Sequence, residues 1–158
     1  PFDGEGLARR RNVLIQDGVL QRFLYHTYAA RRAGTASTAS ASRGYASTPS
    51  VGAAALSILP GTASQNEVLA GVGEGFLVQA VSGLHSGVNP ISGDFSVGAT
   101  GLMIRNGERA EPVREATIAS TIQRMLLDII AIGGDVRWLP GNAAGVTLAI
   151  KDVALSGT

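Results

Sequence analysis

Residues 94–113, DFSVGATGLMIRNGERAEPV, decide how this chain is read. Asp94–Ile104 alternates in the manner of a strand with one face turned inward. Asn106-Gly107 follows, a pair at ease with positive φ at both central positions of a two-residue hairpin loop. A returning strand is expected near Ala110–Val113. A second signal of the same kind lies in residues 12–28, NVLIQDGVLQRFLYHTY, where Val13–Ile15 and Val19–Tyr25 flank Asp17-Gly18. Two tight hairpins in one short chain point to antiparallel pairing, since parallel strands need crossovers of a dozen residues or more.

Working outward, Tyr28–Arg32 reads as a short helix ending at Gly34. Residues 34–50, GTASTASASRGYASTPS, carry small polar residues without a period of 2.0 or 3.6 and read as a flexible low-complexity loop. Leu56–Leu59 is a short strand stopped by Pro60-Gly61. Ser64 and Glu67 form a capping-box pattern for a helix running through Gly71. Residues 76–88 read as a strand with an irregularity at Gly83. Ile118, Ile122, Met125, Leu126, Ile129 and Ile132 recur at threes and fours, so a helix is expected over Ile118–Ile132, capped by Thr117 and ended by Gly133-Gly134. Residues 146–155, VTLAIKDVAL, read as one final strand. The expected class is α+β and mostly antiparallel β, a barrel-like or highly curved sheet with a few helices, rather than a doubly wound parallel sheet.

The chain has 158 residues, 45% hydrophobic and 16% charged, which suits a single globular domain over 1–158. The net charge is +1, and arginine supplies all the basic residues except Lys151. A balance so near neutral offers no long-range field for a polyphosphate backbone, and the Arg9-Arg10-Arg11 cluster faces Asp3 and Glu5, so no direct nucleic-acid partner is expected. Cysteine is absent, which removes disulfides and thiolate metal sites and is compatible with a reducing cytoplasm. No run reaches the roughly 18 apolar residues of a membrane span, so no membrane partner is expected. Because the text opens on Pro1 in mid-motif, it is expected to be part of a longer protein.

Chemistry-bearing motifs are few. The histidines, His26 and His85, stand in no metal-ligand spacing. Ser96-Val97-Gly98 lacks the glycine two places earlier that a nucleophile elbow needs, and Asp94 stands there instead. Gly71–Gly75 follows a helix and precedes a strand, the reverse of a phosphate-cradling loop. Two polar, glycine-bearing segments remain: Phe2-Asp3-Gly4-Glu5-Gly6 with Arg9–Asn12, and Asn89–Ala99. Each is either a pair of loops whose Asp and Ser side chains cap backbone N–H groups, or a surface for a peptide or partner subunit.

The same two segments carry a resemblance. FDGEGLARRRNVLIQDGVLQRFLYHTYAARRAGTAST is similar to the phrases of the TldD/PmbA family, an acidic-glycine run before RRNVLI-x-DGVL and a TY-x-AR stretch. NPISGDFSVGATGLMIRNGERAEPVREATIAS resembles that family's GDFS-x-GA and NGE-x-x-x-PV signature, and the likeness runs from about residue 2 to the C-terminus. TldD-type chains hold zinc with a His-Glu-x-x-x-His helix and a later cysteine. PmbA-type (TldE) chains lack those ligands and pair with the TldD type. The missing cysteine and the GDFS phrase resemble the PmbA type.

The resemblance implies a C-terminal, strand-rich domain preceded by an α/β domain. It also implies a cytoplasmic metallopeptidase complex that degrades or trims unstructured peptides, including microcin maturation and antitoxin turnover. The old name of DNA gyrase modulator belongs to that antitoxin link. Zinc is expected in the TldD-like partner of a heterodimer and no cofactor in this chain; no catalytic residue carries over. The polar members of the recognised phrases, Asp3, Glu5, Arg10, Asn89, Asp94 and Ser96, are the candidates for peptide or partner contact. Two rival expectations are a homodimeric metallopeptidase with its ligands upstream, and a structural or ligand-binding β domain unrelated to proteolysis.

Overall fold

The computed structural model describes residues 1–140 and 143–157. In chain order the elements are β1 (Ile15–Gln16), β2 (Val19–Leu20), α1 (Thr27–Arg32), β3 (Ala41–Ser42), β4 (Ser50–Val51), β5 (Leu56–Ser57), α2 (Gln65–Val72), β6 (Gly75–Ser82) and α3 (Leu84–Gly87). They continue with β7 (Asp94–Arg105), β8 (Glu108–Thr121), α4 (Ile122–Leu127), β9 (Ile129–Ile132), β10 (Arg137–Trp138), β11 (Ala143–Gly145), β12 (Leu148–Ile150) and β13 (Ala154–Ser156). The chain divides into two compact units: Pro1–Ser57 with Trp138–Ala144, and Ile58–Arg137 with Gly145–Thr158.

The second unit is built on an antiparallel sheet of order β13-β8-β7-β6. Its spine is the β7–β8 hairpin, turned at Asn106 (φ 50°) and Gly107 (φ 78°), the positive-φ pair that a type I′ turn requires. Val97, Ala99 and Gly101 are buried at every second position of β7, then Ile104 is buried three residues on. The register shifts at that point, between Leu102 and Ile104. The extra residue lies on β8, since Leu102 pairs Pro112 and Ile104 pairs Arg109, so β7 keeps its alternation and Ile104 is buried on the face opposite Val97, Ala99 and Gly101. On β8, Ala99 pairs Ala116 while Gly101 pairs Val113, and the extra residue there includes Glu115 at φ 59°. Val97, Ala99 and Ile118 form the buried centre, packed by Phe76, Val88, Phe95 and Val153. Gly101 lets β6 close on it, because a Cβ there would strike the Leu77 carbonyl.

Mostly antiparallel pairing with short helices is what the structure shows, and bulges in β6–β7 and β7–β8 supply bends. Among the described residues no ladder closes on itself, and the pairing of β5 with β11 is parallel, as is the isolated Ala63–Gly133 bridge. The Ser64–Glu67 capping box forms as expected at α2, whose C-cap is Gly73 at φ 70°.

The helix expected over Ile118–Ile132 is three elements: the end of β8, the six-residue α4 and the strand β9. Thr117 caps nothing; Thr121 is the N-cap, accepting from the Arg124 N–H. Thr117, Ile118, Thr121, Ile129 and Ile132 are β-branched and find cross-strand partners, which outweighs a spacing that fits helix by coincidence. The final strand expected over 146–155 is two strands, β12 on β9 and β13 on β8, broken by Asp152 at φ 56°. Gly83 (φ 78°) ends β6, and α3 occupies residues 84–87.

In the first unit, β1 pairs β2 through Asp17 (φ 52°) and Gly18 (φ 76°), the expected hairpin. Its α1 starts at Thr27 with His26 as N-cap, and Gly34 (φ 64°) follows its end. The 34–50 stretch, read as a flexible loop, holds β3 paired with β4, and Thr38–Ala41 is buried.

Candidate functional site

Asp3 is 8% exposed, and both carboxylate oxygens are occupied. Oδ1 accepts from the N–H groups of Glu5 (3.0 Å) and Leu7 (2.9 Å), and Oδ2 from that of Ala41 (3.1 Å). Burial pushes its pKa up, but the donors of Ala41, Leu7 and Glu5 together hold it below the usual value. Gly4 N–H donates to the Ala41 carbonyl at 2.8 Å, so the acidic-glycine loop is strapped to the buried 38–41 segment.

Glu5 reaches the start of α1. Its Oε2 accepts from Thr27 Oγ1 (2.6 Å) and Thr27 N–H (2.8 Å), which lower its pKa. The Arg10 guanidinium donates to the Ser37 carbonyl. Asn12 Nδ2 donates to the carbonyls of Thr38 (3.0 Å) and Arg10 (3.2 Å). Thr38 Oγ1 accepts from the Tyr25 N–H at 2.7 Å and lies 3.0 Å from the Tyr25 carbonyl. Sequence reasoning passed over Thr38, whose one signal was a Ser/Thr-rich run that also marks ordinary loops, and flagged the Arg9–Asn12 segment without choosing Asn12 as a candidate.

Beside Glu5 lies a groove of about 460 Å³ lined by Glu5, His26, Tyr28, Thr48 and Pro49. His26 Nδ1 accepts from the Ala29 N–H at 3.0 Å. The Tyr28 ring meets His26 edge-on at 6.1 Å and carries the Arg32 guanidinium 5.9 Å from its centroid.

In the second unit Asn89 and Asp94 belong to one loop. Asn89 Oδ1 accepts from the N–H groups of Ile91 (2.9 Å) and Ser92 (3.2 Å), and its own N–H donates to the Asp94 carbonyl at 2.9 Å. Ser92 Oγ donates to Asp94 Oδ2 at 2.6 Å. Gln123 Nε2 donates to the Ser92 carbonyl and Ile122 N–H to the Gly93 carbonyl, which fixes the loop to α4. Ser96 is exposed on β7, opposite Ala119. The candidates thus form two sets, Asp3, Glu5 and Arg10 in one unit and Asn89, Asp94 and Ser96 in the other.

Two surface features were hidden in the bulk numbers. The β1–β2 hairpin exposes Val13, Ile15, Val19, Leu20 and, just after it, Phe23 (63%). The near-neutral net charge also conceals a split. The first unit holds seven arginines, from Arg9 to Arg43, against Asp3, Glu5 and Asp17. All seven are exposed, and among the described residues none is in a salt bridge. The second unit has the opposite excess, with six basic residues against nine carboxylates.

Among the described residues no three of His, Cys, Asp and Glu gather closely enough to hold a metal. His26 spends Nδ1 on α1, and His85 is exposed on α3. The residues present therefore do not fit a metal centre. No helix among them is long and apolar enough to cross a membrane.

A strand-rich, mostly antiparallel domain with ordered acidic-glycine and GDFS loops is the class of protein that the structure defines. The model of the PmbA/TldA metallopeptidase C-terminal domain matches residues 1–157, and the chain belongs to that family. It is 35% identical over 157 residues to Metalloprotease PmbA of Escherichia coli O157:H7, covering 99% of this chain and 32% of that protein. TldE from Thermococcus kodakarensis superposes with a TM-score of 0.87 at 28% identity, over 99% of this chain and 36% of that one. A Thermotoga maritima protein solved as a proposed modulator of a DNA gyrase gives 0.92 at 29% identity, over 99% and 35%. The chain spans about a third of the length of the curated relatives it matches.

Proposed function

We propose that this chain is the C-terminal domain of a PmbA/TldE-type subunit that does not itself catalyse. It pairs in the cytoplasm with a zinc-bearing TldD-type subunit and helps enclose unstructured peptides for degradation or trimming. The observation that carries the pairing is the β1–β2 hairpin. Two residues per strand cannot stabilise a hairpin in water unaided, and five exposed apolar side chains cluster on or beside this one. Exposed arginines at 9–11 and 22 flank it with no salt bridge among the described residues, so the complementary surface is apolar at its centre and carboxylate-bearing at its rim.

Peptide capture is assigned to the free edge of β6, the last strand in the order β13-β8-β7-β6. Its sequence GFLVQAVS carries no charge and no proline, and its one irregularity is the register shift between Val78 and Ala80. An extended peptide adding there is held through backbone groups, which suits broad sequence tolerance and a requirement for disorder.

The test is co-expression of the whole protein carrying this domain with a tagged TldD-type homologue, followed by size-exclusion chromatography, zinc analysis and hydrolysis of an unfolded peptide. A complex with about one zinc per heterodimer and activity absent from either subunit alone is the expected result. A zinc-free protein eluting alone, or zinc and activity in this subunit by itself, would overturn the reading.

A further inference from the structure

We propose that the groove between Glu5 and His26 is a subsite for the free N-terminus of a peptide, with the α-ammonium on Glu5 and the first carbonyl on the His26 imidazole. The inference rests on the peptide-handling reading only for its biological use; the binding chemistry is independent of it.

Glu5 commits one oxygen to its neighbours. Oε2 takes both Thr27 donors, which fixes the carboxylate, while Oε1 has no hydrogen-bond partner among the described residues. His26 is placed in the opposite sense. Its Nδ1 accepts from Ala29, which leaves Nε2 to carry the N–H, and among the described residues no group takes that N–H. Thr27, which Glu5 grips, follows His26 directly in the chain, so an unused acceptor with full negative charge and an unused donor border the same groove.

An α-aminoacyl group offers the complement, a cationic donor and, one carbon away, a carbonyl acceptor. Other ligands match half of this pair. A lysine or arginine side chain satisfies Glu5 but brings no acceptor for the imidazole. A carboxylate or phosphate accepts from His26 but is repelled by Glu5. An internal peptide segment brings a carbonyl and no charge. Charge-assisted hydrogen bonds are roughly twice as strong as neutral ones, so the ammonium–Glu5 contact discriminates most. The walls suit a short terminus: Pro49 and the Tyr28 ring are apolar, and Thr48 adds a hydroxyl with no hydrogen bond among the described residues. Arg32 already takes a cation position on the Tyr28 ring, so the ring supplies contact area rather than a second ammonium site. At about 460 Å³ the groove holds one or two residues of a peptide.

Saturation-transfer NMR on the whole protein reads the affinity for three probes: trialanine, N-acetyl-trialanine and n-butylamine. Trialanine is expected to bind at least about tenfold more tightly than either of the others. Glu5→Gln, which keeps an acceptor for Thr27, is expected to remove that preference. Thr48→Arg, at an exposed position with no side-chain hydrogen bond among the described residues, is expected to block the groove and leave the fold intact, checked by circular dichroism. Equal binding of the acetylated peptide, or trialanine binding unchanged in both variants, would overturn the proposal. Trialanine preference without any TldD-type partner retains the subsite and removes the complex. An active complex indifferent to acetylation and to Glu5→Gln does the reverse.

Discussion

Asp3→Asn separates a structural role from a contact role at the centre of the acidic-glycine phrase. The carboxylate accepts three backbone N–H groups, and Ala41, which supplies one of them, is 1% exposed. An asparagine keeping its oxygen toward Glu5 and Leu7 turns its NH₂ on the Ala41 N–H, donor against donor. The flipped amide leaves two N–H groups facing a donor instead. The better arrangement strands one buried N–H at about 1–3 kcal/mol. It also turns two charge-assisted bonds into neutral ones, about 0.5–1 kcal/mol each. The expected loss is about 2–5 kcal/mol from the first unit.

All of Tyr25, Tyr28, Tyr45 and Trp138 lie in that unit, so intrinsic fluorescence follows its unfolding in urea while far-ultraviolet circular dichroism follows both units. The pH dependence has a definite sign. The folded-state pKa of Asp3 is below the unfolded value of about 3.9. Its stabilisation is therefore complete above that value and disappears as pH falls through the folded pKa. Asparagine does not titrate, so the gap between wild type and variant holds at neutral pH and closes in acid. A variant unfolding within about 0.5 kcal/mol of wild type at neutral pH, or a gap that persists in strong acid, refutes the reasoning.

Other positions give sharper local tests. Gly107→Ala places a Cβ 2.7 Å from the Ala70 Cα at φ 78°, so the β7–β8 turn must lift from α2; a loss of about 2–4 kcal/mol by circular dichroism is expected, and Ala70→Gly does not rescue it because the obstruction is backbone. Glu115→Gly relieves a left-handed non-glycine residue inside β8 and is expected to leave urea stability unchanged or raise it by up to about 1 kcal/mol. Val19→Asp with Leu20→Ser, at side chains 60% and 53% exposed, is expected to move the unfolding midpoint little while weakening association with a TldD-type subunit at least about tenfold in a binding titration.

The turns were readable because their chemistry is local. Asp17-Gly18 and Asn106-Gly107 specify positive φ from two adjacent residues, and Ser64 with Glu67 specifies a cap across one turn. What the chain does at Ile118–Ile132 depends on distant partners. Ile118 pairs Val97, and β9 pairs β12 some 18 residues downstream. A spacing of threes and fours among isoleucines cannot report those ladders, since the same residues satisfy a helix face and a strand face. The buried Thr38–Ala41 segment was hidden for a related reason: small residues carry little hydrophobic signal, and its partners Asp3, Asn12 and Tyr25 lie 13 to 38 positions away.

The recognised phrases pose the same problem at the level of function. Within five residues, Asp3 has no lone oxygen left and Glu5 has one. Asn89 spends its side-chain oxygen on its own loop, whereas Ser96, on the strand that follows, projects from an exposed position. A phrase is therefore a mixture of parts that hold a loop and parts that the loop presents. Asp3, buried with both oxygens engaged, can affect a partner or peptide only by moving the backbone, and its substitution must register in stability; Asn89 holds its loop through Oδ1 while its exposed side-chain NH₂ has no hydrogen bond among the described residues. Glu5 and Ser96 have capacity to spare and can alter binding without altering the fold. Measuring unfolding and binding on the same variants sorts the six candidates on that physical basis.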